Sequence, residues 1–101
     1  MIEDGRYRFN SENINRSPEE PGIYALYNES ELIYYGRAQG SSVTIRSRLQ
    51  SHLRGDEGSC TKKATHYRRE PCSNPVDREK ELLEEFKKQN GKLPRCNERV
   101  G

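Results

Sequence analysis

The sequence predicts a single α+β domain, and three observations carry that prediction. Gly22–Tyr27 and Leu32–Tyr35 are short aromatic and β-branched runs separated by Asn28-Glu29-Ser30, the pattern of a β-hairpin. Ser41–Arg54 and Asn74–Asn90 carry apolar residues at helical spacing. The chain has 101 residues, enough for one domain, and its 30% hydrophobic and 34% charged content allows only a thin core.

In chain order, residues 1–21 are polar and acidic, with Arg6–Asn10 as a short candidate strand and Ser17-Pro18-Glu19-Glu20-Pro21 as a loop limited by its prolines. The hairpin follows, its second strand expected to end at Gly36. In the first helix Ile45, Leu49 and Leu53 form a stripe at i, i+4 and i+8; Ser41, Ser42 and Thr44 are candidate N-caps, and Gly55 is a stop. Gly55–Thr65 is polar, with room for a helical turn, and Ala64–Glu70 reads as a further strand. Pro71–Pro75 is a loop, the second helix stops at Asn90-Gly91, and Leu93–Gly101 is a tail.

No apolar run approaches the roughly 18 residues that span a membrane, and Met1-Ile2-Glu3-Asp4 has no signal-peptide character, so a cytoplasmic protein is expected. The net charge of +2 is unevenly spread. Residues 1–36 carry three basic and seven acidic groups, whereas residues 37–70 carry eight basic and three acidic. The middle of the chain is the natural place for a polyanion. Cys60, Cys72 and Cys96 are an odd number for a disulfide framework, and reduced thiols are expected. His52, Cys60, His66 and Cys72 are suitable zinc ligands by type, but their spacing matches no knuckle or finger. Gly36–Ser41 is too short between its glycines, and lacks the lysine, for a phosphate loop.

Glu79 is the most informative residue. At about 100° per residue, Val76, Leu82, Leu83 and Phe86 form one stripe of the second helix, and Glu79 falls near its middle, while Glu81 falls on the opposite side. A carboxylate aimed at a core must be paired, protonated or metal-bound. One reading satisfies it with a nearby arginine; the other makes it a metal ligand facing a cleft. The hairpin offers a second constellation. A three-residue turn sets Tyr24 opposite Tyr34, with Leu26 on the same face and Ile23, Ala25, Ile33 and Tyr35 on the other; a two-residue turn sets Tyr24 opposite Tyr35. In the first helix Arg48 and His52 stack at i, i+4 beside the apolar stripe, whereas Arg46 and Arg54 point away.

Gly22-Ile23-Tyr24, nine residues, then Tyr34-Tyr35-Gly36 resembles the signature of the GIY-YIG nucleases, with Tyr35 where the family usually has Ile or Val. Gly36-Arg37-Ala38, Arg48-Leu49, His52, Glu79 and Pro94-Arg95-Cys96-Asn97 follow at workable spacings, so the resemblance covers residues 20–98, with 1–19 as an N-terminal extension. It implies a small three-stranded mixed or antiparallel sheet flanked by helices. It also implies a surface on which Tyr24, Tyr34, Arg48, His52 and Glu79 converge, and hydrolysis of DNA phosphodiesters with Mg²⁺, for which Mn²⁺ can substitute. Glu79 would hold the metal, Arg48 the phosphate, and Tyr24 or His52 would activate the water beside Tyr34. Arg37 and Asn97 would support the site, at the DNA backbone and from the tail. No further DNA-reading motif accompanies these residues, so the expected partner is DNA bound with little sequence specificity, with room for a delivery partner and either a monomer or a weak dimer. A catalytically silent DNA-binding module and a purely structural domain are the competing readings.

Overall fold

The computed structural model describes residues 2 and 5–97; Met1, Glu3, Asp4 and residues 98–101, which include the expected end of the core at 98 and the end of the tail, lie outside the described residues. Eight elements follow one another: β1 (Tyr7–Arg8), α1 (Ser11–Ile14), β2 (Gly22–Asn28), β3 (Glu31–Ala38), α2 (Ile45–Arg54), α3 (Ser59–Lys62), β4 (His66–Pro71) and α4 (Pro75–Asn90). The strands form one sheet in the order β1-β4-β2-β3. Every neighbouring pair is antiparallel. The sheet thus has four strands rather than the expected three. The added strand is the Tyr7–Arg8 pair against Tyr67 and His66. It lies within the candidate strand Arg6–Asn10, and its aromatic neighbours hold it in place: Tyr7 and Phe9 pack on the Tyr67 ring at 5.5 and 6.1 Å between centroids.

The sheet separates two apolar layers. On one face Tyr24, Leu26, Ile33, Ala38 and Tyr67 pack with Phe9, Ile14, and Ile45 and Leu49 of α2. On the other, Ile23, Ala25, Tyr27 and Tyr35 pack with Ile2 and with Leu82 of α4. Tyr35, the unusual member of the second triplet, therefore belongs to the α4 layer, away from Tyr34. Val76, expected in the α4 stripe, is 42% exposed because it sits in the first turn, beyond the sheet's cover.

Caps explain the helix bounds. Thr44 accepts from the Ser47 amide while the Ser47 hydroxyl accepts from the Thr44 amide, so α2 begins at Ile45, not at Ser41. Its end is Gly55, at φ 89°, a left-handed conformation that glycine adopts without strain. Pro75 opens α4 at its first turn, where a missing N–H costs nothing.

The hairpin register is neither of the two expected. Asn28 pairs with Glu31 and Tyr27 with Leu32, but Leu26 pairs with Tyr34, and the register shifts between Leu26 and Tyr27. Ile33 is the extra residue of this bulge, and it joins the α2 layer rather than the α4 layer. Tyr24 then lies opposite Gly36, and β3 runs on through Gly36 to Ala38 instead of ending there.

The expectation of three reduced thiols fails. Cys60 of α3 and Cys96 of the tail form a disulfide, Cα–Cα 5.7 Å, and only Cys72 is free. The pairing depends on a chain reversal after α4 that returns the tail to β3, where the Cys96 amide donates to the Ile33 carbonyl at 2.8 Å. No helix among the described residues is long and apolar enough to cross a membrane.

Candidate active site

The site lies along β3, an edge strand of the sheet. An open pocket of about 550 Å³ is lined by Tyr34 and Arg37 of β3, Arg48 of α2, Glu79 and Leu83 of α4, Leu93 and Asn97 of the tail, and Gln39 and Val43 between β3 and α2. Of the seven residues singled out in the sequence, Tyr34, Arg37, Arg48, Glu79 and Asn97 thus share one pocket. Tyr24 and His52 are buried behind it.

Gly36 makes the tyrosine cluster possible. A Cβ at this position would fall 2.5 Å from the Tyr24 hydroxyl and 2.6 Å from the Tyr34 ring. With no side chain there, the two rings approach to 6.2 Å between centroids. Gly22 serves the same end for the backbone, because a Cβ would lie 2.4 Å from the Glu70 carbonyl on β4. The two glycines of the signature are therefore steric requirements of strand pairing and ring packing.

His52 is 1% exposed, and both its ring nitrogens are engaged. Nε2 shares a 2.8 Å hydrogen bond with the Tyr24 hydroxyl, and Nδ1 shares one of 2.8 Å with the Thr61 hydroxyl. Burial, reinforced by the Arg48 charge, pushes its pKa down to about 4, so the ring is neutral at pH 7. Burial likewise pushes the Tyr24 hydroxyl well above its usual range, and the neighbouring Tyr34 adds to this, while the Arg48 charge opposes both. Tyr34 is raised in the same way, by its burial first, with Arg48 again opposing.

A consequence for stability follows. An unfolded-chain histidine titrates near 6.5, whereas folded His52 takes its proton near pH 4. Between those values the unfolded chain binds a proton that the folded chain does not, so stability falls as pH drops through this window. Wild type is expected to lose up to about 3 kcal/mol between pH 7 and pH 4 from this group alone. Denaturant midpoints across that range will be flatter for His52→Gln than for wild type, by the share that belongs to His52.

The charged groups are paired across the pocket. Arg48 donates through Nη1 and Nη2 to the two carboxylate oxygens of Glu57, each at 3.2 Å. Arg37 donates to Glu79 Oε1 at 2.6 Å, with Glu79 15% and Arg37 47% exposed. Glu79 is therefore satisfied by an arginine here, as one reading of the sequence expected, but it stands in the pocket rather than in the core. Glu81 bonds Arg78 on a different part of α4. Asn97 does not project freely: its Oδ1 accepts from the Tyr35 amide at 2.9 Å, and its Nδ2 donates to the Tyr35 carbonyl at 3.0 Å. Its side chain covers the β3 edge as a strand neighbour would.

Sequence reasoning did not single out Glu57 and Thr61. Both lie in the polar stretch 55–65, where no periodicity marks a residue's direction. Their partners, Arg48 and His52, were visible only as residues needing partners.

Among the described residues Glu79 is the only carboxylate lining this pocket, and no group of three or more His, Cys, Asp or Glu could hold a metal. The donor set suits a hard cation that keeps most of its waters: one carboxylate in a roomy polar pocket, with Arg37 taking one of its two oxygens. A thiolate- or imidazole-bound metal is not suited, because His52 is committed at both nitrogens.

The chain is thus an antiparallel four-stranded α+β domain that gathers a tyrosine pair, a histidine, two arginines and one carboxylate at a sheet edge. Two solved structures share its fold. The GIY-YIG N-terminal endonuclease domain of UvrC from Thermotoga maritima, in its magnesium-bound form, matches with a TM-score of 0.61 and 22% identity, covering 86% of this chain and 98% of that one. A point-mutant form of the same domain, bound to its catalytic divalent cation, matches with a TM-score of 0.62 and 21% identity, with the same coverage. By sequence, UvrABC system protein C of a Hydrogenobaculum species is 41% identical over 46 residues, which span 46% of this chain and 7% of that protein. No family model matches. The chain therefore shares the fold of these endonuclease domains, and it spans only a small part of the curated relative it matches.

Proposed function

We propose that this chain is a metal-dependent endonuclease that hydrolyses phosphodiester bonds in DNA with limited intrinsic sequence specificity, folded as one domain over residues 1–101. The observation that carries the reading is the pocket itself, which combines one carboxylate, two arginines and a tyrosine backed by a buried tyrosine–histidine pair.

Glu79 is the metal ligand, and Mg²⁺ (or Mn²⁺ in its place) supplies Lewis-acid stabilisation of the leaving oxygen when bound. Arg48 holds the scissile phosphate. Its fork now spans the Glu57 carboxylate, and the same two donors match two phosphate oxygens. Arg37, exposed at the pocket rim, meets the neighbouring backbone phosphate. Tyr34 orients the attacking water. Tyr24 and His52 act together as its base: as the water's proton goes to the Tyr24 oxygen, the Tyr24 proton goes to His52 Nε2, and no free phenolate is formed. This removes the obstacle of the raised Tyr24 pKa. Both members are buried, so the relay opens when Arg48, whose charge bears on the Tyr24 hydroxyl, turns from Glu57 to the phosphate. Asn97 holds the Tyr35 backbone and with it the direction of Tyr34.

Phosphate contacts dominate such an interface, so binding weakens steeply with salt and discriminates little between sequences. The test is nicking of supercoiled plasmid with Mg²⁺, Mn²⁺ or chelator, with branched and single-stranded DNA as further substrates. Metal-dependent nicking is expected, and its absence on every substrate would leave only binding by the same surface.

A further inference from the structure

Thr61 is buried in α3, and its hydroxyl contacts His52 on the side of the ring away from Tyr24. We propose that Thr61 is a positioning residue that fixes the tautomer of His52, keeping the proton on Nδ1 and the Nε2 lone pair aimed at the Tyr24 hydroxyl. The inference rests on the nuclease reading for its consequence, but not for the tautomer itself.

The argument starts at the Tyr24 oxygen. The Arg48 charge bears on this oxygen, and a cation draws the lone pairs of a hydroxyl, not its hydrogen, toward itself. The Tyr24 hydroxyl hydrogen then needs an acceptor, since Tyr24 is wholly buried. His52 Nε2, at 2.8 Å, is the acceptor the structure provides. A neutral imidazole carries one proton, so with Nε2 accepting, the proton sits on Nδ1 and is donated to Thr61 Oγ1 at 2.8 Å. Burial keeps the ring neutral, which makes the choice between nitrogens a real one.

A hydroxyl at this position decides the outcome. Without it, an Nδ1–H would lose its one protein partner among the described residues, and the ring would move its proton to Nε2. That N–H would then donate to the Tyr24 oxygen, and the Tyr24 proton would have no base to receive it. Thr61 thus acts through His52. Its place is secured from both sides. Cys60, the preceding residue, is bonded to Cys96, and the Ala64 amide after it donates to the Thr61 carbonyl at 3.1 Å.

The experiment is ¹⁵N–¹H long-range correlation spectroscopy of the His52 ring at pH 7 in the whole chain, for wild type, Thr61→Val and Thr61→Ser, with plasmid nicking measured in parallel. Wild type is expected to show the Nδ1–H tautomer. Thr61→Val, of nearly equal volume, is expected to shift the ring to Nε2–H and to lower kcat roughly 10- to 100-fold with KM unchanged. Thr61→Ser is expected to restore both the tautomer and the rate. An Nε2–H tautomer in wild type overturns the proposal even if the valine variant fails to fold. So does a valine variant that keeps both the wild-type tautomer and the wild-type rate. If wild type does not cleave, the nuclease reading fails while the tautomer result stands or falls on its own.

Discussion

Replacing Glu79 with alanine will reduce metal-dependent cleavage by about 10³-fold or more and leave the fold and DNA binding nearly intact. The rate effect follows from the loss of the pocket's only carboxylate. A divalent cation contributes several kcal/mol of charge stabilisation, and about 4 kcal/mol corresponds to roughly 10³ in rate. The fold survives because the carboxylate's recorded bond is to a half-exposed Arg37, and such pairs contribute about 1 kcal/mol or less. DNA binding survives because Arg48 and Arg37 remain, and Arg37, released from Glu79, is free to meet a phosphate. Two controls sharpen the result. Glu81→Ala, on a carboxylate engaged with Arg78, will cleave as wild type does. Binding of Mn²⁺, followed by its paramagnetic broadening of Tyr34 and Asn97 resonances, will disappear in Glu79→Ala. A structural role would give a different pattern: equal cleavage by wild type and variant, no broadening in either, and greater stability in Glu79→Leu, which would replace a costly carboxylate by an apolar group.

The sequence foresaw which residues share the pocket better than it foresaw the geometry that builds it. Glu79, Arg48 and Tyr34 were singled out because periodicity tells direction in a helix and alternation tells it in a strand. The hairpin register was missed because a single bulged residue, Ile33, shifts every pairing beyond it from the turn, and bulges leave no compositional trace. Tyr24 and Tyr34 still meet, on a diagonal across Gly36, so the right partners were chosen through the wrong pairing. The fourth strand falls within the candidate strand Arg6–Asn10 and was left out of the expected three only because the resemblance implied three, whereas α1 escaped because four residues make barely one turn. The Cys60–Cys96 bond and the Thr61–His52 and Glu57–Arg48 contacts share one cause. All depend on where the segment after α2 lies in space, and a polar irregular segment has its direction set only by what it packs against.

Breaking the Cys60–Cys96 bond will cost more stability than any single side chain at the site. The bond spans 36 residues. Closing a loop of that length removes entropy from the unfolded chain equivalent to about 4 kcal/mol in the chain-entropy treatment. A small domain has roughly 5–15 kcal/mol in total, and this one has only 30% hydrophobic residues with which to build two thin layers. The double variant Cys60→Ser/Cys96→Ser is therefore expected to melt roughly 15–30 °C below the oxidised wild type. Wild type in dithiothreitol should fall to a similar value, while the double variant should ignore the reductant. A wild-type melting point unmoved by reductant would show that the bond does not form in solution. The loss will not be spread evenly. Each cysteine adjoins a residue that holds the site: Thr61 follows Cys60 and bonds His52, and Asn97 follows Cys96 and brackets the Tyr35 backbone. Amide exchange after reduction should rise first at α3 and at residues 93–97, before the β2–β3 and β2–β4 ladders open. The disulfide then ties together the two segments that line up His52 and Tyr34, and cleavage should weaken on reduction at temperatures well below the new melting point.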